Sequence, residues 1–527
     1  MAFAAVLVGL LGVFASSAAA KSGAKQGGTL RVDLFTDVDY TDPALDYLST
    51  GWEIEYATCL KLMNYPDVNG PKGSQLTPEA ATGFPKISNG GKTYDFTVNV
   101  PYTKFSTGAA VTAANFKAAF DRNADPKMQS PATAFMDDVV GADKTPVSGV
   151  RVRGKHLIVN LKQAAPDFLA RVAMPFFCAI PVNLPRDPNG VETLPGAGPY
   201  YIAERTVNKS IVLKKNPYYK GKRPHNLAQI VFTVGNSLEA TRLRVERGEA
   251  DYAGGGIPAA SYAEVAQKYG VNKAQFFVKP QLGIRYFAFN HDRPIFKNNL
   301  KLKKAINFAI DRKAVLAQGG YLAGKRTDQV LPPGIAGFKD ADIYPLKGPN
   351  LKAAKKWANG ATRDGKIVYY TSNTASSAAV GQIVQFNLKQ IGLDTEVKQF
   401  ARAVQIEKEG TRGEPFDITS EAWVADYADP YDFIDVLLNG KNLQPAHNNN
   451  VAYWNDPKFN QKMNAAARLS GAKRFAAYGA LDADIMKNGA PWTPWANINN
   501  RSFLSSKVGC PTFNAIYQID YSALCLK

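Results

Sequence analysis

The chain has 527 residues, too many for one hydrophobic core, and about 150 residues per domain gives an expectation of three to four domains. Lys and Arg number 63 against 45 Asp and Glu, a formal charge of +18. The positive residues are spread along the chain without a dense basic run, and no nucleic-acid motif accompanies them. Nucleic acid is therefore excluded as the expected partner, and a basic exported protein near an anionic envelope is the reading that remains.

Residues 2 to 20 carry no charge, are rich in Ala, Val, Leu and Phe, and end Ser17-Ala18-Ala19-Ala20 before the polar Lys21-Ser22-Gly23. This pattern reads as a secretory signal cleaved after Ala20, although a basic start is missing; an uncleaved membrane anchor is the other reading. No Cys follows the apolar run, so a lipid anchor is not expected. After a flexible Lys21 to Gly28, GGTLRVDL opens a strand. Tyr94, Phe96, Val98 and Val100 alternate as a half-exposed strand of a second, smaller unit. In PYTKFSTGAAVTAANFKAAFDR (Pro101 to Arg122), Thr112 is the expected N-cap of a helix, with Asn115 rather than an acid three residues on.

The proline-rich PRDPNGVETLPGAGP (Pro185 to Pro199) is the clearest linker. Beyond it, Ile211 and Leu213 share one face of a strand that stops at Asn216-Pro217, and a second strand covers Gln229 to Val234. Asn236 is then expected to cap a helix with Glu239 as its box partner, and Gly248 to end it. Gly254-Gly255-Gly256 reads as a flexible surface turn. Leu302, Ile306 and Ile310 repeat at i, i+4 and i+8 of a further helix, after which Asp311 caps the next. The clearest βαβ unit follows: a strand Lys366 to Tyr370, a helix with Val380, Ile383, Val384, Leu388 and Ile391 on one face, a stop at Gly392, and a strand Asp394 to Val397. Ligands of open α/β sheets lie outside the carboxyl ends of strands, which makes the loop after Tyr370, with Ser372 and Asn373, a pocket candidate.

The ordered series Gly198 to Asp251, the Phe-Ser-x-Gly turn with Val-Thr-Ala in Pro101 to Arg122, FAFNHDRPIFKNNLKLKKAINFAIDRKAVL (Phe287 to Leu316) and WVADYADPYDF (Trp423 to Phe433) together closely resemble family 5 extracellular solute-binding proteins, the peptide- and nickel-capturing components of ABC importers. The resemblance spans roughly residues 28 to 500. It implies a two-lobed, three-domain α/β fold of the periplasmic-binding-protein type (type II, cluster C-like) with the ligand cleft between lobes. Domain I would comprise 28–70, 195–289 and 498–527, domain II 71–194 and domain III 290–497. Hinges would lie near Asn290 and at Asn497 to Arg501. It further implies a monomer that serves a membrane permease, with no cofactor. The runner-up is the same fold holding an oligosaccharide, a metal chelate or another non-peptide solute. A secreted hydrolase on a borrowed fold is the rival of a different class.

In the peptide-binding members the resemblance points to, the Asp after Trp-x-x pairs with the ligand's amino terminus, which places that role on Asp426. An ammonium enclosed between lobes loses its water, and an ionised carboxylate offsets that cost. Trp423 would wall the pocket and Tyr427 would contact the ligand, while Asp429 reads as a turn residue and Asp432 as a solvated cap. Dipeptide-selective relatives hold the ligand carboxylate with an Arg after the strand matching Lys366 to Tyr370. Here that loop reads Thr371-Ser372-Asn373-Thr374, which favours longer peptides. Catalysis finds no footing: His156, His225, His291 and His447 lack metal-ligand neighbours at i+3 or i+4, and neither a Gly-x-Ser-x-Gly elbow nor a phosphate-binding loop occurs.

Four cysteines in an exported chain suggest two disulfides, with three pairings open. Cys510 and Cys525 lie 15 apart in the tail, a loop whose closure contributes roughly 3 kcal/mol. Cys59 and Cys178 would then pair by elimination, the other reading being two buried thiols in apolar surroundings.

Overall fold

The computed structural model describes residues 26–527; the expected signal segment and its cleavage after Ala20 lie outside the described residues. Three main sheets organise the chain. The first has five strands in the order Tyr252–Ala253, Thr29–Leu34, Gln229–Val234, Ser210–Lys215, Tyr200–Thr206. Its centre is parallel, and Ile211 and Leu213 face Phe232 and Ile230 across an antiparallel ladder with all four side chains fully buried. Each such side chain contributes about 1.5–3 kcal/mol of hydrophobic stabilisation. The second sheet is antiparallel, in the order Lys86–Ser88, Thr93–Thr97, His156–Asn160, Val150–Arg153. Tyr94 and Phe96 point from it into the core, as their alternation requires.

The third sheet orders six strands as Gly324–Lys325, Trp492–Phe503, Phe276–Phe289, Ile418–Val424, Lys366–Ser372, Asp394–Phe400. Lys366–Ser372 and Asp394–Phe400 are parallel, with the helix Ala375–Lys389 between them and Gly392 at φ +82° closing the crossover. Val384 and Leu388 seal that helix onto Tyr369 and Ile367. The long strands Phe276–Phe289 and Trp492–Phe503 pair along their length. At one end Phe276 and Phe503 pack with Tyr262 and Val265, beside the first sheet's Ala253; at the other, Phe287 and Phe289 belong to the core of the third sheet. These two strands carry the chain between lobes. Their ladder is irregular between Pro280 and Ile284, where Pro280 has no N–H to give. Asn290, at the end of one of these strands, is buried, and its backbone and side-chain amides donate to Asp417 and Phe416 carbonyls.

Two local expectations need correction. The helix Leu238–Arg247 is capped by Ser237, whose Oγ accepts from Ala240 N–H at 3.2 Å, not by Asn236. Glu239 thereby falls in the first turn, where it favours the helix dipole without forming a box. Gly248 ends the helix at φ +69° as expected. The Gly254–Gly256 run is a surface turn with Gly255 exposed, but it is packed tightly and not flexible. A Cβ on Gly254 would lie 2.8 Å from Leu34 Cδ2, and one on Gly255 2.6 Å from the Phe35 amide nitrogen, so glycine permits a close approach to the strand Thr29–Leu34. The cap at Thr112 works without an acid, because Asn115 Oδ1 accepts from the Thr112 N–H at 2.8 Å. Cys59 is bonded to Cys178 and Cys510 to Cys525, with Cα separations of 5.6 and 5.5 Å. Among the described residues no helix is long and apolar enough to cross a membrane.

Candidate ligand site between the lobes

The strand Ile418–Val424 ends where the Ala425 N–H donates to Leu282 O at 2.8 Å, and the helix Pro430–Leu438 begins with Pro430 in its first turn. The turn between them, Ala425 to Asp429, is gripped by the first lobe at three points. Tyr47 Oη donates to Asp426 Oδ2 at 2.8 Å, Tyr427 Oη donates to Asp167 Oδ2 at 3.1 Å, and the Ala428 N–H donates to Tyr65 Oη at 3.3 Å. The segment singled out in the sequence is therefore where the lobes meet.

Asp426 is only 7% exposed. Burial pushes its carboxyl up to about 7, opposed by hydrogen bonds from Tyr47 and Asp432, and no cation acts on it. Asp432 is fully buried, which contradicts its reading as a solvated cap. Its Oδ2 accepts from Trp423 Nε1 at 3.1 Å and from the Asp426 N–H at 3.0 Å, while its Oδ1 has no partner. Burial and then the charge of Asp426 raise its carboxyl well above the carboxylate range. Asp432 is thus held as the neutral acid, because two buried carboxylates this close cannot both ionise without a cation. Its partners lock the backbone of Asp426 and the indole of Trp423.

Asp429 is more than a turn residue. Its Oδ1 caps the helix through the Tyr431 N–H, and both oxygens bind the Arg474 guanidinium at 2.6 and 2.7 Å. Burial raises the Asp429 carboxyl while Arg474 opposes that rise, and the same pair holds Arg474 above its ordinary range. The two-point geometry is that of an ionised pair, so Asp429 has its counter-charge and Asp426 does not.

Of the other expected site residues, Trp423 is half-buried at the lobe contact. Tyr427 is fully buried, its ring edge-on to Phe135, so it ties the lobes together instead of lining an open pocket. Ser372 is the last residue of its strand and donates to Gln405 Oε1 at 2.8 Å, and Asn373 is exposed, with its N–H on Phe400 O. Tyr47 carries no sequence signal for this role. Long-range pairing of a phenol with a carboxylate 379 positions away leaves no periodic trace.

The strand Ile418–Val424 is fully paired on one edge with Phe276–Phe289, but Lys366–Ser372 covers only Ile418 and Thr419 on the other. Gln405 Nε2 caps Ser420 O, leaving an uncovered edge leading toward Asp426. Such an edge accepts an extended peptide as an added strand. A hollow of about 460 Å³ beside Asp292, Arg412 and Leu443 and one of about 510 Å³ beside Gly337, Asp340 and Ala476 contain no residue of this segment, so the site rests on buried charge and not on volume.

Residues 75–444 match the family described as bacterial extracellular solute-binding proteins, family 5 Middle. The chain is 26% identical over 410 residues to the probable D,D-dipeptide-binding periplasmic protein DdpA of Escherichia coli (strain K12), covering 76% of this chain and 75% of that protein. It is 25% identical over 455 residues to the periplasmic murein peptide-binding protein MppA of the same organism, covering 81% and 80%. The solved structure of clavulanic acid biosynthesis oligopeptide binding protein 2 shares the fold, with a TM-score of 0.85 at 22% identity over 95% of this chain and 96% of that one. With a match across well over half of its length and a two-lobed α/β architecture to accompany it, the chain belongs to the family 5 bacterial extracellular solute-binding proteins.

Proposed function

We propose that this protein captures peptides with a free amino terminus between its lobes, outside the cytoplasm, and presents them to the permease of an ABC importer. The observation that carries the reading is Asp426: a desolvated carboxylate at the lobe contact, oriented by Tyr47 and Asp432, with no cation of its own. An ammonium brought there restores the ionised state and adds charge-assisted hydrogen bonds. The uncovered edge of Ile418–Val424 supplies main-chain partners for the residues that follow. Relatives named for D,D-dipeptides and murein peptides support a peptide ligand.

In this reading Trp423 walls the first ligand residue, Ser372 and Asn373 flank the far end of the cleft, and Tyr427 closes the lobes. The three sheets correspond to domains I, II and III, and the hinge lies at the irregular ladder Pro280 to Ile284 with Asn497 to Asn499 opposite. The test is a ligand screen by thermal melting of the ligand-free protein. Peptide mixtures of two to six residues are expected to raise the melting temperature, since a ligand at about 100 times its Kd adds roughly 2.7 kcal/mol. A shift with oligosaccharides alone would replace the peptide with a sugar.

A further inference from the structure

Residues 297 to 366 hold 15 Lys and Arg against 5 Asp and Glu, so 70 residues carry +10 of the chain's +18. Two helices, Leu300–Ala309 and Leu351–Ala358, gather much of that charge. They run antiparallel: Asn299 Nδ2, at the start of one, donates to Ala361 O, past the end of the other, at 2.8 Å, and the Asn350 N–H donates to Phe308 O at 2.8 Å. Leu302, Ala305 and Ile306 on the first helix and Ala354 and Ala358 on the second bury the inner faces in the core of the third sheet. The outer faces are cationic. Lys297, Lys301, Lys352, Lys355, Lys356 and Arg363 are all exposed, and none of them forms an ion pair among the described residues. Arg363 Nη2 donates to Lys297 O at 2.6 Å, and Lys304 Nζ lies 4.9 Å from the ring centre of the half-buried Trp357, so the cations of both helices make one continuous face. Residues 297–310 and 350–366 contain a single acid, Asp364, whose Oδ1 accepts from the Lys366 N–H at 3.3 Å. The face is remote from the ligand site. Gly283 pairs with Val424 beside the Ala425–Asp429 turn and Phe289 with Ile418, so the strand runs about 20 Å outward before the segment leading to these helices begins.

This placement works against the helices themselves. Lys301 and Lys352 stand in first turns, at the positive end of the helix dipole. Lys355 and Lys356 follow Lys352 at i+3 and i+4, and Lys304 follows Lys301 at i+3, which sets like charges side by side. Each arrangement disfavours the folded chain, and anions laid across the face relieve all of them together. We infer that this face binds the anionic headgroups of a lipid bilayer, holding the protein at the membrane surface with its cleft free. Two helices lying side by side offer a broad surface that suits a plane of many phosphates. A group of about four to eight cations on helices beside a membrane is the number that retains a protein on anionic lipid. Trp357, between the two rows of lysines, is the side chain that settles at a headgroup boundary. Retention there raises the effective concentration of loaded protein at a permease. The inference depends neither on the identity of the ligand nor on the role of Asp426.

The test is co-sedimentation of the exported protein with vesicles of phosphatidylcholine alone and of phosphatidylcholine with about one third phosphatidylglycerol. The wild type should bind the anionic vesicles only, and raising the salt from about 0.05 M to about 0.5 M should release it. A variant with Lys301→Gln, Lys352→Gln, Lys355→Gln and Lys356→Gln should partition on the order of 100-fold more weakly, each lysine counting for up to about fivefold. The comparison is a second variant with Lys86→Gln, Lys127→Gln, Lys144→Gln and Lys209→Gln, four exposed lysines of the first lobe, which removes the same charge and should bind nearly as the wild type does. All eight positions are exposed, so both variants should keep the wild-type melting temperature. Acetylation of lysines in the wild type gives a readout that needs no variant: anionic vesicles should protect Lys301, Lys352, Lys355 and Lys356 and leave the four first-lobe lysines reactive. Equal losses in the two variants would show that net charge acts without a dedicated face, and would overturn the inference. So would equal binding to neutral vesicles, which reports insertion of the apolar residues 2 to 20, or binding to soluble polyphosphate without binding to either vesicle.

Discussion

Replacing Asp426 by Asn should make the ligand-free protein more stable at alkaline pH, the opposite of what loss of a hydrogen-bonded residue ordinarily does. Burial lifts the carboxyl from 3.8 to about 7, so between those values the native state holds a proton that the unfolded chain has released. Stability therefore falls as pH rises through that window, at about 1.4 kcal/mol per unit, and levels off above the folded pKa. Relative to a carboxyl protonated in both states, the raised pKa of Asp426 lowers stability by about 4 kcal/mol at pH 8, where the native group is ionised, and by about 2 kcal/mol at pH 5, where only the unfolded chain has released the proton. Asn keeps an acceptor for Tyr47 Oη and does not titrate. Urea midpoints and melting curves of both dialysed proteins should thus diverge as the pH is raised from 5 to 8, with the variant ahead. A variant that is less stable at pH 8, or a gap that does not change with pH, would refute the claim that Asp426 is a desolvated carboxylate lacking a cation.

Arg474→Ala, which strands the buried Asp429 carboxylate, should cost about 3–5 kcal/mol and lower the melting temperature of the second lobe. Non-reducing peptide mapping should recover Cys59 with Cys178 and Cys510 with Cys525, and Cys525→Ser should lower stability by roughly 3 kcal/mol, the closure term of a 15-residue loop. Gly255→Ala, whose new Cβ would sit 2.6 Å from the Phe35 amide, should cost about 1–3 kcal/mol in a urea titration.

Features written in short-range residue order were legible in the sequence. The strand Gln229–Val234, the stop at Gly248 and the βαβ unit ending at Gly392 each follow from a periodicity and a neighbouring cap or breaker. Asp426 was reached by its place in a motif. What escaped were facts of tertiary charge. Asp432 reads as a solvated cap from its neighbours, yet the fold encloses it against Trp423 and Asp426, and nothing local encodes that enclosure. Asp429 looks like an ordinary residue before proline until Arg474, 45 positions away, is placed on it. Asn236 lost the cap to Ser237 because two adjacent residues both have suitable side chains, and the chain's entry angle decides between them.

The central claim is that a ligand ammonium completes the charge of Asp426, and the most direct measurement is a titration of wild type and Asp426→Asn with one tetrapeptide, in free and N-acetylated form, at pH 7.5. The free peptide should lose about 2–5 kcal/mol of binding energy in the variant, the range for removing one partner of an enclosed charged pair. The acetylated peptide should bind the wild type weakly and be nearly indifferent to the substitution. Equal affinity of the two proteins for the free peptide would contradict the assignment of the amino-group site to Asp426.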